Sequence, residues 1–109
     1  MNFIRATSTT EVLEGKAIKV KVDDKDVLIA KVNGEFYALS NVCPHAGGSL
    51  TDGILNGNTI TCPKHGAQFN LKTGETVGDA KILFFKTKPK NAGCYEVQIN
   101  GTDVMIGVA

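Results

Sequence analysis

Where apolar and polar residues alternate in this chain they do so with the two-residue period of strands, not the roughly 3.6-residue period of helices. AIKVKV, residues 17–22, sets Ile18, Val20 and Val22 on one face and Lys19 and Lys21 on the other, the pattern of a half-buried strand. VLIAKV, 27–32, is a second apolar run. Asn33-Gly34 and then EFYAL follow it, which is the sequence form of a type I′ hairpin. Asn-Gly recurs at Asn56-Gly57 and Asn100-Gly101, each time between segments rich in β-branched or aromatic residues, so hairpins are expected at all three. QFNLKTGET, 68–76, with Gly74 at the bend, predicts a fourth. From Cys94 onward, Tyr95, Val97 and Ile99 alternate with Glu96 and Gln98, the pattern of one further strand.

Helical signals are sparse. Ser8 and Glu11 have capping-box spacing ahead of Val12 and Leu13, but Gly15 would end any helix within about two turns. Many short strands at regular turn spacing predict an all-β sandwich or barrel-like domain. KILFFKTKPK, 81–90, gathers four lysines and reads as a strand with a solvated face that ends at Pro89.

Length changes this picture little: 109 residues fit a single domain, 1–109, able to bury roughly two-thirds of its extended surface. Twelve basic residues against eleven acidic ones give a formal charge of +1, which argues against nucleic acid or an anionic membrane as the main partner. MNFIRATSTTEV lacks the apolar core of a secretory signal and no run approaches membrane-spanning length, so a soluble, cytoplasmic protein is expected. In that setting three cysteines read as metal ligands or packed thiols before they read as a disulfide framework.

The candidate chemistry sits in two segments, CPHAGGSL at 43–50 and TCPKHGAQF at 61–69, which between them use both histidines of the chain. The pattern is Cys43-x-His45, sixteen intervening residues, then Cys62-x-x-His65. A zinc finger usually pairs its cysteines in one knuckle and its histidines on a helix; here each loop carries one of each. Such mixed pairs suit a two-iron cluster, the cysteines on one iron and the histidines on the other. Mononuclear zinc at the same four residues is the competing reading, and a Cys/His nucleophilic pair lacks a third orienting group. Gly47, Gly48 and Gly66 allow tight turns in which main-chain N–H groups could face sulfides and thiolates, while Pro44 and Pro63 stiffen the loops. Cys94 has no Cys or His neighbour and reads as a packing or surface thiol. Asp52, Glu75 and Asp79 read as turn residues, and Leu50 and Phe69 as shielding for the metal site.

CPHAGGSLTDG and CPKHGAQFNLKTGE resemble the two cluster-binding loops, about 43–52 and 62–70, of Rieske-type 2Fe-2S ferredoxins, the small electron carriers of bacterial ring-hydroxylating dioxygenases. The resemblance implies the Rieske fold, stacked antiparallel sheets with a small cluster-binding subdomain, and one 2Fe-2S cluster held by Cys43, His45, Cys62 and His65. It further implies a one-electron carrier and not an enzyme, meeting an NAD(P)H-dependent flavoprotein reductase and a terminal oxygenase transiently. A small subunit of a larger redox enzyme, such as assimilatory nitrite reductase, is the alternative. Where respiratory and photosynthetic Rieske proteins carry a disulfide between the loops, this chain has Gly48 and Lys64; where they place Ser and Tyr hydroxyls near the sulfurs, it has Ala67 and Phe69. The proline-bearing third loop usual in the ferredoxins, Gly-Pro-Ala-x-x-Pro, is replaced by Gly78-Asp79-Ala80-Lys81-Ile82-Leu83.

Overall fold

The computed structural model describes residues 1–43, 47–64, 66–77 and 92–108. Pro44, His45, His65, Asp79, the replaced loop at 78–83 and the lysine-bearing segment at 81–90 lie outside the described residues.

Strands within the described residues run in chain order as β1 (Asn2–Ser8), β2 (Lys16–Val22), β3 (Lys25–Val32), β4 (Glu35–Ser40), β5 (Ile54–Asn56), β6 (Thr59–Thr61), β7 (Gln68–Asn70), β8 (Thr76–Val77), β9 (Cys94–Tyr95), β10 (Val97–Asn100) and β11 (Asp103–Val108). They form three antiparallel sheets, ordered β1-β11-β10, β2-β3-β4-β9 and β5-β6-β7-β8. Helical structure among the described residues is limited to two short 3-10 turns, Thr9–Glu11 and Leu50–Asp52. Ser8 does cap the first, its Oγ accepting from the Thr10 N–H. No helix among these residues is long and apolar enough to cross a membrane.

The turns follow the residues that can make them. Asn33 and Gly34 both have positive φ, 54° and 78°, the backbone of a type I′ turn joining β3 to β4. At the other two Asn-Gly pairs the asparagine ends the strand, and the glycine alone takes positive φ at the first turn position, Gly57 at 60° and Gly101 at 66°. The fourth expected hairpin is also present, β7 to β8. A further tight turn joins β2 to β3 through Asp23 and Asp24, both in the left-handed region, which short acidic side chains tolerate. The strand expected from Cys94 is interrupted: Tyr95 pairs with β4, Glu96 belongs to neither strand, and Val97 begins pairing with β11. The alternation continues through Glu96, but the chain changes sheets there.

The four-stranded sheet of β2-β3-β4-β9 is the middle layer. Val27 and Ile29 of β3 pack on one side with Val12, Val104 and Ile106; Leu28, Ala30 and Val32 pack on the other with Leu50, Ile60, Phe69 and Leu71. Burial on both faces is why β3 is apolar at consecutive positions instead of alternate ones. A fully buried Leu, Ile or Phe contributes about 1.5–3 kcal/mol. By contrast, the exposed Arg5–Asp103 and Lys21–Asp26 pairs, at 2.8 and 3.8 Å, are of a kind that contributes about 0–1 kcal/mol. The two apolar layers therefore hold the three sheets together.

The β5-β8 subdomain is tied to this middle layer at its far end as well as through its core. The Ala92 N–H donates to the Gly74 carbonyl, and Ser40 N–H donates to Gly93, each at 2.8 Å. Gly74 has φ of 77°, and a Cβ there would stand 2.1 Å from the Ala92 carbonyl oxygen, so only glycine permits this approach.

Candidate metal centre

Two loops meet at one end of the subdomain: the first runs from the end of β4 to β5, and the second joins β6 to β7. Each closes on itself in the same way. The Cys43 N–H donates to the Gly48 carbonyl at 2.8 Å, and the Gly47 N–H returns to the Cys43 carbonyl at 2.8 Å. In the second loop the Cys62 N–H donates to Ala67 at 2.7 Å, and Gly66 returns to Cys62 at 3.1 Å. Gly47 and Gly66 hold matching φ values of 71° and 74°, a left-handed backbone that other residues adopt with strain. The amides of these two glycines are thus engaged inside their own loops, each closing a five-residue turn onto the cysteine carbonyl, so any main-chain N–H groups that face sulfides are those of other loop residues.

Both cysteines are buried, at 1% exposure each, and share a core with Leu50, Ala67 and Phe69. Cys62 Sγ lies 3.4 Å from where a Cβ on Gly48 would stand, which brings the second loop's thiol against the first loop's backbone. Lys64 lays its aliphatic stem over the same glycine, with Cγ 3.2 Å from that point. Gly48 and Lys64, the positions that the resemblance matches to a disulfide of respiratory and photosynthetic Rieske proteins, therefore adjoin each other here. None of Cys43, Cys62 and Cys94 is in a disulfide. Among the described residues no third metal-ligating side chain joins the two cysteines; His45 and His65 lie outside the described residues.

The remaining expected residues fall as follows. Cys94 is exposed on β9, away from any cluster of ligand-type residues among those described. Leu50 and Phe69 are fully buried beside the cysteines, as shielding requires. Glu75 works through its backbone, its carbonyl accepting from Asn70 and its N–H donating to the Thr73 hydroxyl. Asp52 ends the 3-10 turn inside the first loop and borders an open depression of about 460 Å³, whose wall includes Ile54, Pro63 and Lys64. One residue the motif did not reveal is Asn41, buried at 3% between the end of β4 and Cys43.

A thiol pair buried at the meeting point of two matched loops fits a metal cluster of the iron–sulfur class, whose sulfur ligands avoid water. The Rieske [2Fe-2S] domain model matches residues 2–82. The chain belongs to the Rieske family. This Rieske protein is 32% identical over 109 residues to the ferredoxin component of the naphthalene 1,2-dioxygenase system of Pseudomonas putida, covering 100% of this chain and 98% of that one. Among solved structures it is similar to the Sphingomonas yanoikuyae B1 ferredoxin, with a TM-score of 0.85, 28% identity, and 99% and 100% of the two chains covered. It is also similar to a chain of a complex of reduced oxygenase and oxidized ferredoxin in carbazole 1,9a-dioxygenase, with a TM-score of 0.80, 26% identity, and 95% and 91% covered. The protein is a ferredoxin-type electron carrier with one Rieske 2Fe-2S cluster, and is not itself an enzyme. The Pseudomonas putida relative is the ferredoxin component of a dioxygenase system, which supports that reading over a nitrite reductase subunit.

Proposed function

We propose that Cys43 and Cys62 hold one iron of the cluster and His45 and His65 the other, and that the protein passes single electrons from an NAD(P)H-dependent flavoprotein reductase to the terminal oxygenase of a ring-hydroxylating system. The observation that carries the ligand set is the approach of Cys62 to the first loop at Gly48, since it brings the two halves of the motif to one place. When bound, the cluster supplies a centre that gains and loses one electron, at a potential raised by neutral imidazole in place of thiolate. The chain's own residues do the rest. Buried Cys43 and Cys62 present thiolates away from water, the Cys-to-Gly48 and Cys-to-Ala67 bonds fix where each thiolate stands, and Leu50, Ala67 and Phe69 close the apolar side.

The loop end is also the face on which partners dock in this reading. Val42 is 51% exposed and Ile54 69% exposed, two large apolar side chains that flank the loops and are open to solvent. Small, partly apolar patches of this kind suit transient electron-transfer encounters, whose interfaces are at the low end of the size range. The chain reads as one Rieske domain over 1–109, with loops at about 43–52 and 62–70.

The test is reduction of the purified holoprotein by NADH in the presence of a dioxygenase-system flavoprotein reductase, followed by the visible absorption of the cluster. Bleaching that depends on the reductase, and oxygenase turnover that depends on this protein, are expected. A colourless protein carrying zinc would contradict the proposal.

A further inference from the structure

The two loops have different necks. Thr61 and Gln68 pair across the base of the second loop as part of the β6–β7 ladder. The first loop leaves one sheet at Ser40 and enters another at Ile54, and across its neck runs an isolated bridge between Val42 and Ser49. Asn41 stands beside that bridge and grips the loop's far end. Its Nδ2 donates to the Ser49 hydroxyl at 2.9 Å, and its Oδ1 accepts from the Thr51 N–H at 2.9 Å and from the Thr51 hydroxyl. The backbone adds two more ties: Asn41 N–H donates to the Asp26 carbonyl of β3 at 3.0 Å, and the Asn41 carbonyl accepts from Leu50 N–H at 2.8 Å.

We propose that Asn41 is a positioning residue for the cluster, its side-chain amide setting where Cys43 stands relative to Cys62 and so how tightly, and in what geometry, the loops hold iron. This rests on the reading that these loops bind the cluster. A buried amide with three of its four hydrogen-bond positions used has one orientation. It fixes Ser49 and Thr51 against the central sheet, and the segment so closed contains Cys43. A leucine has the same branched arrangement of four side-chain heavy atoms, somewhat larger, but would leave the Ser49 hydroxyl and the Thr51 N–H and hydroxyl without this partner, and the loop end would shift toward water to recover them. Residues that orient metal ligands in this indirect way typically alter affinity by about 10–100-fold.

The experiment compares Asn41→Leu, Thr51→Val and Ser49→Ala with the unmodified holoprotein by three readouts: iron loss to a chelator, the EPR g values of the reduced cluster, and its midpoint potential. Asn41→Leu should lose iron about 10-fold faster or more, with shifted g values and potential; the two milder variants should move the same quantities less. A residue that merely supports the fold would lower the thermal midpoint and leave g values and potential in place, and that result overturns the proposal. Should Asn41→Leu fail to fold, Thr51→Val and Ser49→Ala decide: wild-type behaviour of both in all three readouts also overturns it. The ligand reading is checked separately by the unmodified protein. If that protein shows no histidine-ligated two-iron spectrum, the underlying reading fails; if it does and the variants match it, the role of Asn41 alone fails.

Discussion

The Sγ of Cys62 stands 3.4 Å from the place a Cβ on Gly48 would occupy, so a thiol of the second loop rests against the backbone of the first. This contact joins two segments separated by sixteen residues between His45 and Cys62 and gives the motif a single location in space. A Cβ on the same glycine would stand 3.2 Å from Lys64 Cγ, so the loops adjoin through backbone and aliphatic carbon at the positions where respiratory and photosynthetic Rieske proteins carry a disulfide.

Cys43→Ser and Cys62→Ser should each abolish a normal cluster, because a hydroxyl is a harder and far less acidic ligand than a thiol. Cys94→Ser should retain it, since Cys94 is exposed on β9. Iron and sulfide analysis of the three purified variants checks this, and loss of the cluster from the Cys94 variant alone would overturn the assignment.

Replacing Gly48 and Lys64 together by cysteine should close a disulfide. In a disulfide the Cβ of one residue lies about 3 Å from the sulfur of the other, and a Cβ on Gly48 would be 3.2 Å from Lys64 Cγ, the position a cysteine sulfur can take. Thiol titration of the denatured double variant, with and without reductant, should reveal two additional thiols only after reduction. Two that titrate without reductant would show that the loops do not meet in this way.

Ala67 is 2% exposed and lies in the core with Cys62. An alanine there and a phenylalanine at 69 offer no hydroxyl hydrogen bond to favour the extra electron. The midpoint potential is therefore expected toward the lower part of the range established for Rieske centres generally, about −150 to +300 mV. Ala67→Ser places a donor on the buried side of the second loop and should raise the value. A redox titration showing an unmodified protein near the upper limit, or no rise in the serine variant, would count against this.

Much of the fold was legible because its turns are chemically marked. Asn33-Gly34, Asn56-Gly57 and Asn100-Gly101 announce hairpins that the structure contains. Asp23-Asp24 carries no comparable mark, since aspartate tolerates positive φ without demanding it, and that turn became visible only through its backbone. The change of sheets at Glu96 was hidden because period-two alternation is the same whether a strand continues or moves to a new neighbour. The motif exposed both cysteines through residue type and spacing alone. Asn41 was not legible for a different reason: its importance lies in bonds to Ser49 and Thr51, eight and ten residues away, which no local pattern encodes.

Stability should fall in acid with a contribution from Glu14. Its carboxylate accepts the Gly34 N–H at 2.8 Å and the Asn33 N–H at 2.6 Å, clasping the β3–β4 turn. The Gly34 bond first, then the Asn33 bond, hold its pKa below the ordinary 4.5. Because the folded value is the lower one, the stabilisation is complete above the unfolded pKa and is lost as pH falls through the folded pKa. Thermal unfolding from neutral pH down through the carboxylate range should show a shallower acid decline in Glu14→Gln than in the unmodified protein. Parallel declines would mean that the clasp does not persist in solution.

The central claim is that a two-iron cluster is held by the two cysteines and two histidines of these loops, and pulsed EPR of the reduced holoprotein tests it most directly. The predicted spectrum has a lower average g than that of an all-cysteine two-iron cluster and strong couplings to two imidazole nitrogens, with loss or replacement of that signal in His45→Cys and in His65→Cys. An average g typical of all-cysteine ligation with no strongly coupled nitrogen, or a signal unchanged in both histidine variants, would contradict it.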